Sequence, residues 1–124
     1  MTTGTLALIV DDCRGLALHL QAQLQALGLQ VEIPEGDAAL LERCADAAFV
    51  FVELQLLERN GFGLVRRLSG RTSGAVILVS GTGRATDLQW GLRAGARAVL
   101  KRPLQQAQLQ ECLHELAAPR EDAA

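Results

Sequence analysis

Charged and hydroxyl side chains stand at the ends of four short apolar segments of this chain. In chain order they are Asp11, Asp12, Glu53 with nearby Gln55, Ser80, Lys101 and Arg102. If the four segments are neighbouring parallel strands, about 4.8 Å apart, these side chains meet at one edge of a sheet. Three carboxylates that meet there repel one another unless a cation lies among them. The spacing therefore predicts an acidic pocket that Mg²⁺ or a basic side chain would neutralise.

Asp11 and Asp12 also have a simpler explanation. An aspartate placed just before a helix often caps its first turn by accepting backbone N–H groups. Helix capping does not explain Glu53, because Glu53 ends a different apolar segment.

Apolar segments alternate with segments of helical periodicity along the whole chain. Continuous apolar runs, such as 6–10 and 49–52, are typical of strands that are covered on both faces. The first helix is predicted to bury one row of leucines, Leu16, Leu20, Leu24 and Leu27. Five strand–helix units in succession predict an α/β protein with helices on both faces of a sheet. The expected sheet is five-stranded, parallel and doubly wound in the flavodoxin-like order 2-1-3-4-5.

Composition excludes several classes of protein. The chain has 124 residues, 49% of them apolar, and a net charge of −2, which favours one folded domain and argues against nucleic-acid binding. No apolar run approaches the roughly 20 residues of a membrane span, and no signal peptide is visible, so a cytoplasmic protein without membrane insertion is expected. The three cysteines lack metal-site spacing and are predicted to be reduced thiols.

The predicted fourth helix, at about 85–94, combines apolar and basic side chains. At 100° per residue Leu88 and Leu92 share one side, whereas Trp90 points away from them. Outward tryptophans often anchor protein interfaces, so this region is a candidate partner surface. Its predicted members are Arg84, Trp90, Arg93 and Arg97. Alternatively, the tryptophan is half-buried against a neighbouring helix and the basic residues are an ordinary solvated face.

Four motifs in order resemble the CheY-like receiver domain of two-component response regulators. They are "LIVDD" at 8–12, "NGF" at 60–62, "LVSG" at 78–81 and "GARAVLKRPL" at 95–104. The resemblance predicts a receiver domain over 1–118 and a flexible tail over 119–124. The segment "TDLQWGLRAGAR" at 86–97 is similar to the response regulators of type IV pilus and twitching motility. The family implies no enzymatic activity and a protein partner on the face of the fourth helix, fifth strand and fifth helix. That partner would be a histidine kinase or a pilus or chemotaxis-like component.

Two pocket residues depart from the family pattern. Receivers resembling this chain accept a phosphoryl group, with Mg²⁺, on an aspartate where this chain has Glu53. Arg102 stands at the position of their lysine, and Ser80 stands at the position of their hydroxyl. The extra methylene of glutamate displaces its carboxylate by about 1.3 Å, and a misplacement of about 1 Å can cost roughly 100-fold in rate. We therefore predict little or no phosphorylation at Glu53 and weak or no Mg²⁺ binding. The cation of Arg102, or a hydrogen bond between Glu53 and Ser80, is expected to occupy the site instead.

Three further positions follow from the same resemblance. Strand alternation should turn Lys101 away from the pocket. Val99 stands where the family commonly has an aromatic residue whose ring rotates as a switch. This chain therefore has no such ring at that position. The Arg102–Pro103 peptide bond is expected to be cis.

Two other functions stay open at this point. One is a conventional receiver that accepts phosphate in a phosphorelay. The other is a nucleotide- or flavin-binding enzyme of the same topology, which the acidic loop "DDCRG" at 11–15 argues against because it offers no glycine-rich anion cradle.

Overall fold

A computed structural model describes residues 4–117 of the chain. In chain order the elements are β1 (Leu6–Val10), α1 (Arg14–Ala26), β2 (Gln30–Glu32), α2 (Asp37–Arg43), a 3₁₀ turn (Cys44–Asp46), β3 (Phe49–Glu53), α3 (Gly61–Ser69), β4 (Ala75–Ser80), α4 (Ala85–Ala94), β5 (Ala98–Lys101) and α5 (Gln106–Ala117). The predicted strand–helix alternation is confirmed. The predicted tail at 119–124 lies outside the described residues.

The five strands form one parallel sheet in the order β2-β1-β3-β4-β5, which confirms the predicted topology. Alternate residues of β3 face opposite sides of the sheet. Val50 and Val52 pack in a core with α2, α3 and α4, whereas Phe49 and Phe51 pack in a second core with α1 and α5. Because both faces are covered, the central strands β3 and β4 are apolar up to their last residues, Glu53 and Ser80. The polar side chains lie at the carboxyl ends of these strands.

The inward faces of two helices differ from the prediction. In α1, Ala17 is buried with Leu20 and Leu24, while Leu16 is 36% exposed. In α4, Leu88 and Leu92 are both 48% exposed, so they do not form its inward side, whereas Trp90, which is 52% exposed, points outward as predicted.

The inner face of α4 consists instead of Asp87, Gly91 and Ala94. Gly91 explains this choice, because a Cβ atom added there would lie 2.7 Å from Cγ2 of Val99 and 2.9 Å from Cδ2 of Leu78. The missing side chain lets α4 approach the sheet closely. Helix rotation then turns both leucines and the tryptophan outward.

No helix among residues 4–117 is long and apolar enough to cross a membrane. Cys13, Cys44 and Cys112 are free thiols.

The start of α3 depends on a close approach that a paired substitution can test. A Cβ atom on Gly61 would lie 2.5 Å from the carbonyl oxygen of Glu53 and 2.6 Å from Cα of Leu54, while one on Gly63 would meet nothing within 4 Å. We predict that Gly61→Ala lowers the free energy of unfolding by about 1–3 kcal/mol through overpacking. Gly63→Ala, the matched control, should raise it by up to about 1 kcal/mol through helix propensity.

Urea unfolding followed by circular dichroism measures both changes. Equal effects of the two substitutions would contradict this account of Gly61.

Candidate functional site

The predicted acidic pocket lies at the carboxyl edge of the sheet. Asp11 and Asp12 follow β1, Glu53 ends β3, and Arg102 follows β5. The Arg102–Pro103 peptide bond is cis, which is the expected isomer. In the sheet order, β4 lies between β5 and β3. The side chain of Arg102, which follows β5, therefore extends past the end of β4 toward β3 and β1.

The guanidinium of Arg102 joins two carboxylates in this pocket. Its Nη2 donates to Oδ2 of Asp11 at 2.8 Å, and its Nε donates to Oε1 of Glu53 at 3.1 Å. The side chains of Arg102, Asp11 and Glu53 are only 16%, 4% and 9% exposed. Charge-assisted bonds between such poorly hydrated groups are stronger than those at the surface. One internal cation therefore pairs with two carboxylates of low exposure.

Backbone N–H groups satisfy other carboxylate oxygens of the pocket. Oδ1 of Asp11 accepts from the N–H of Cys13 at 2.9 Å, and Oε2 of Glu53 accepts from the N–H of Gln55 at 3.1 Å. Oδ2 of Asp12 accepts from the N–H of Leu57 at 2.6 Å and so ties the loop after β3 to the end of β1.

The capping explanation for the two aspartates is not supported. The N-cap of α1 is Cys13, which makes no side-chain capping bond. The carboxylate of Asp12 instead binds the loop after β3. Gln55 contributes its backbone N–H to Glu53, while its side chain is exposed.

The pocket does not fit a divalent ion in this arrangement. A hard cation needs several oxygens directed at one point. Here the oxygens of Asp11 and Glu53 face a guanidinium and backbone N–H groups, and residues 4–117 contain no group of three potential ligands placed to hold a metal.

Burial raises the pKa of Asp11 above its usual 3.8, and the nearby charges of Glu53 and Asp12 act in the same direction. The N–H of Cys13 and the charge of Arg102 oppose that rise.

Ser80 lies at the expected edge, but its hydroxyl does not face Glu53. It donates to Oδ2 of Asp87, in the first turn of α4, at 2.6 Å. The hydroxyl of Thr82 also donates to that oxygen, and the two bonds, from Ser80 first and Thr82 second, lower the pKa of Asp87. The predicted hydrogen bond from Ser80 to Glu53 is therefore wrong, because a nearer carboxylate accepts the hydroxyl proton.

Sequence reasoning did not assign Asp87 or Thr82 to any site. A usable signal was present, since Asp87 is the one acidic residue between Arg84 and Arg102 and lies at the third position of α4.

Two further predicted residues lie outside the pocket. Lys101 is exposed, its methylene stem lies against Gly83, and it takes part in none of the ion pairs found over the described range 4–117. Val99 is partly buried and packs in the core beneath Gly91 of α4.

The predicted partner surface is only partly assembled. Trp90 is 52% exposed, and the guanidinium carbon of Arg93 lies 5.6 Å from its ring centroid, within the range of a cation–π contact. Arg84 is exposed at the N-cap of α4. Arg97 is different, because the chain reverses at Gly95. Its side chain lines a cleft at the amino edge of the sheet.

Removal of Arg102 is predicted to destabilise the fold strongly. Arg102→Met would leave two buried carboxylates without their cation and should cost about 3–5 kcal/mol of unfolding free energy. Loss of the cation should raise the pKa of Asp11 further. Stability then falls as pH rises through that pKa, so the loss should be larger at about pH 7 than at about pH 4.

Arg43→Met is the matched control, because Arg43 pairs with Glu32 where the two side chains are 40% and 45% exposed. That change should have little effect on the unfolding free energy, because water and salt screen an exposed pair. Urea titrations at both pH values measure the effects. Similar losses for the two arginines would contradict the burial argument.

Comparison with known proteins identifies a family and a relative of this chain. Residues 7–114 match the family model described as the response regulator receiver domain. The chain is 34% identical to Protein PilH of Pseudomonas aeruginosa over 116 residues, which are 90% of this chain and 96% of that protein.

Solved structures share the fold at low identity. A two-component response regulator from Clostridium difficile has a TM-score of 0.81 at 17% identity, covering 90% of this chain and 94% of that one. A response regulator from Burkholderia pseudomallei, solved with a phosphorylated aspartic acid, calcium ion and citrate, has a TM-score of 0.78 at 20% identity, covering 88% and 66%. Since the family model spans most of the sequence, the chain belongs to the response regulator receiver domain family.

Proposed function

We propose that this chain is an atypical receiver, a signalling module that binds a protein partner and is not phosphorylated at Glu53. The carrying observation is the bridge from Arg102 to Asp11 and Glu53. Both oxygens of Glu53 accept hydrogen bonds, from Nε of Arg102 and from the N–H of Gln55. A carboxylate held in this way is poorly available as a nucleophile.

The electrostatics of the pocket also favour this function. Phosphoryl transfer depends on cations that neutralise the incoming charge and on close placement of the nucleophile. Here the cation already pairs with two buried carboxylates, and Glu53 extends one methylene further than aspartate. Lys101, the other cation nearby, is exposed against Gly83.

A place in type IV pilus or chemotaxis-like signalling in the cytoplasm fits this chain. Support comes from the identity to Protein PilH over nearly its whole length. The segment at 86–97, which resembles the twitching-motility regulators, forms most of α4 and the turn after it.

The partner is proposed to bind the outer face of α4, within the predicted face of α4, β5 and α5. Leu88, Trp90 and Leu92 are each about half exposed there. Arg93, stacked on Trp90, and Arg84 add positive charge. An aromatic anchor with adjacent arginines is typical of an interface centre and complements an acidic, partly apolar partner segment.

A phosphorylation assay tests the first part of this proposal. The protein is incubated with acetyl phosphate and Mg²⁺, and its intact mass is measured. We expect no phosphoryl adduct for the natural sequence, and an adduct for the double variant Glu53→Asp, Arg102→Lys, because the shorter acid and compact cation reopen the site. Glu58→Asp, in the exposed loop after β3, is the matched control and should stay unmodified.

A substantial Mg²⁺-dependent adduct on the natural sequence would favour the conventional phospho-accepting receiver.

A binding experiment tests the second part. Proteins captured from the native cell by the natural sequence are compared with those captured by Trp90→Ala and by Leu18→Ala. Leu18 is 43% exposed on α1 and serves as the matched control. Trp90→Ala should weaken capture of the specific partner at least tenfold, on the scale of about 1.4 kcal/mol for a lost anchor. Equal capture by both variants would exclude the α4 face.

A further inference from the structure

The buried carboxylate of Asp87 organises the first turn of α4. Asp87 is only 7% exposed, and its Oδ2 accepts hydrogen bonds from three donors. These are the hydroxyl of Ser80 at 2.6 Å, the hydroxyl of Thr82, and the N–H of Arg84 at 3.3 Å. An aspartate near a helix N-terminus is favourable, but its burial depends on such partners.

The hydroxyl of Ser80 is fully engaged in the same cluster. It donates to Asp87 and accepts from the N–H groups of Thr82 and Gly83, each at 3.2 Å. A serine hydroxyl has one proton and two lone pairs, so this set uses all of them. Nothing remains for a bond to Glu53 or Arg102.

Two hydrogen-bond networks therefore lie side by side at this edge of the sheet without sharing a side-chain atom. One contains Asp11, Arg102 and Glu53. The other contains Ser80, Thr82 and Asp87. A backbone hydrogen bond joins the two groups of residues, since the N–H of Arg102 donates to the carbonyl oxygen of Ser80 at 2.9 Å.

The middle of α4 is fixed by packing as well. Gly91 lies directly over Val99 and Leu78, with no room for a Cβ atom. Trp90 is the only tryptophan in the chain and follows Asp87 by three residues, close to one helical turn. The position of its ring on the surface therefore reports the position of this turn.

We propose that Asp87 is the positioning residue of the α4 face. It fixes the start of α4 to the hydroxyls of Ser80 and Thr82, and it keeps that face in one position independently of the chemistry at Glu53. The importance of the face for a partner rests on the proposed function. The positioning role itself concerns the free protein.

Amide and indole NMR spectra of the free protein test this inference. Four variants are compared with the natural sequence: Ser80→Ala, Asp87→Ala, Ser80→Thr and Glu53→Gln. Ser80→Ala and Asp87→Ala should shift the indole signal of Trp90 and the amides of α4 by more than a linewidth, in the same direction. Ser80→Thr retains the hydroxyl and should restore the natural positions.

The double variant Ser80→Ala, Asp87→Ala should shift the α4 signals by less than the sum of the two single shifts, since the two residues share one hydrogen bond. Glu53→Gln should shift amides near residues 11 and 53 and leave α4 in place. If Asp87→Ala does not fold, Ser80→Ala and its control Ser80→Thr test the positioning role of Asp87 without it.

The inference is overturned if Glu53→Gln moves the α4 signals as far as Ser80→Ala does, or if Ser80→Ala leaves them unchanged. Neither outcome depends on a partner or on phosphorylation. A phosphoryl adduct on Glu53 would contradict the proposed function, whereas unchanged α4 signals in Ser80→Ala would contradict only the role of Asp87.

Discussion

The pocket is arranged around the guanidinium of Arg102, which lies between the carboxylates of Asp11 and Glu53. This guanidinium links the ends of β1, β3 and β5 at one buried point. An arginine suits this position because its planar fork can donate to two acceptors at once, whereas a lysine offers a compact point charge. A buried pair of this kind is costly to break from one side and favours one arrangement over others. The pocket thus carries its own cation.

Most of the fold could be predicted because the central strands are apolar on both faces and the helices show regular spacing. The inward face of α4 could not, because Asp87 and Gly91 are not apolar residues. Periodicity arguments assign leucines to the core and overlook a glycine that allows close packing. They also overlook an aspartate that is buried by its hydroxyl partners.

The pocket likewise has one part that could be predicted from the sequence and one part that could not. The contact between Arg102 and Glu53 could be anticipated, since both residues follow strands whose ends lie close together. The direction of the Ser80 hydroxyl could not be anticipated. Strand spacing indicates a carboxylate on β3 as its acceptor, whereas the hydroxyl donates to a carboxylate on α4. Proximity in sequence predicts that Arg97 joins the surface of Trp90, but the turn at Gly95 places Arg97 at the amino edge of the sheet.

The central claim is that Arg102 takes the place of a divalent cation. The most direct measurement is a Mg²⁺ titration of the natural protein, followed by the amide NMR signals of Asp11, Asp12 and Glu53. The account predicts no saturable shift at sub-millimolar Mg²⁺, because the oxygens of the pocket already bind a guanidinium and backbone N–H groups. Saturation of these signals in that range would show an intact metal site and contradict the account.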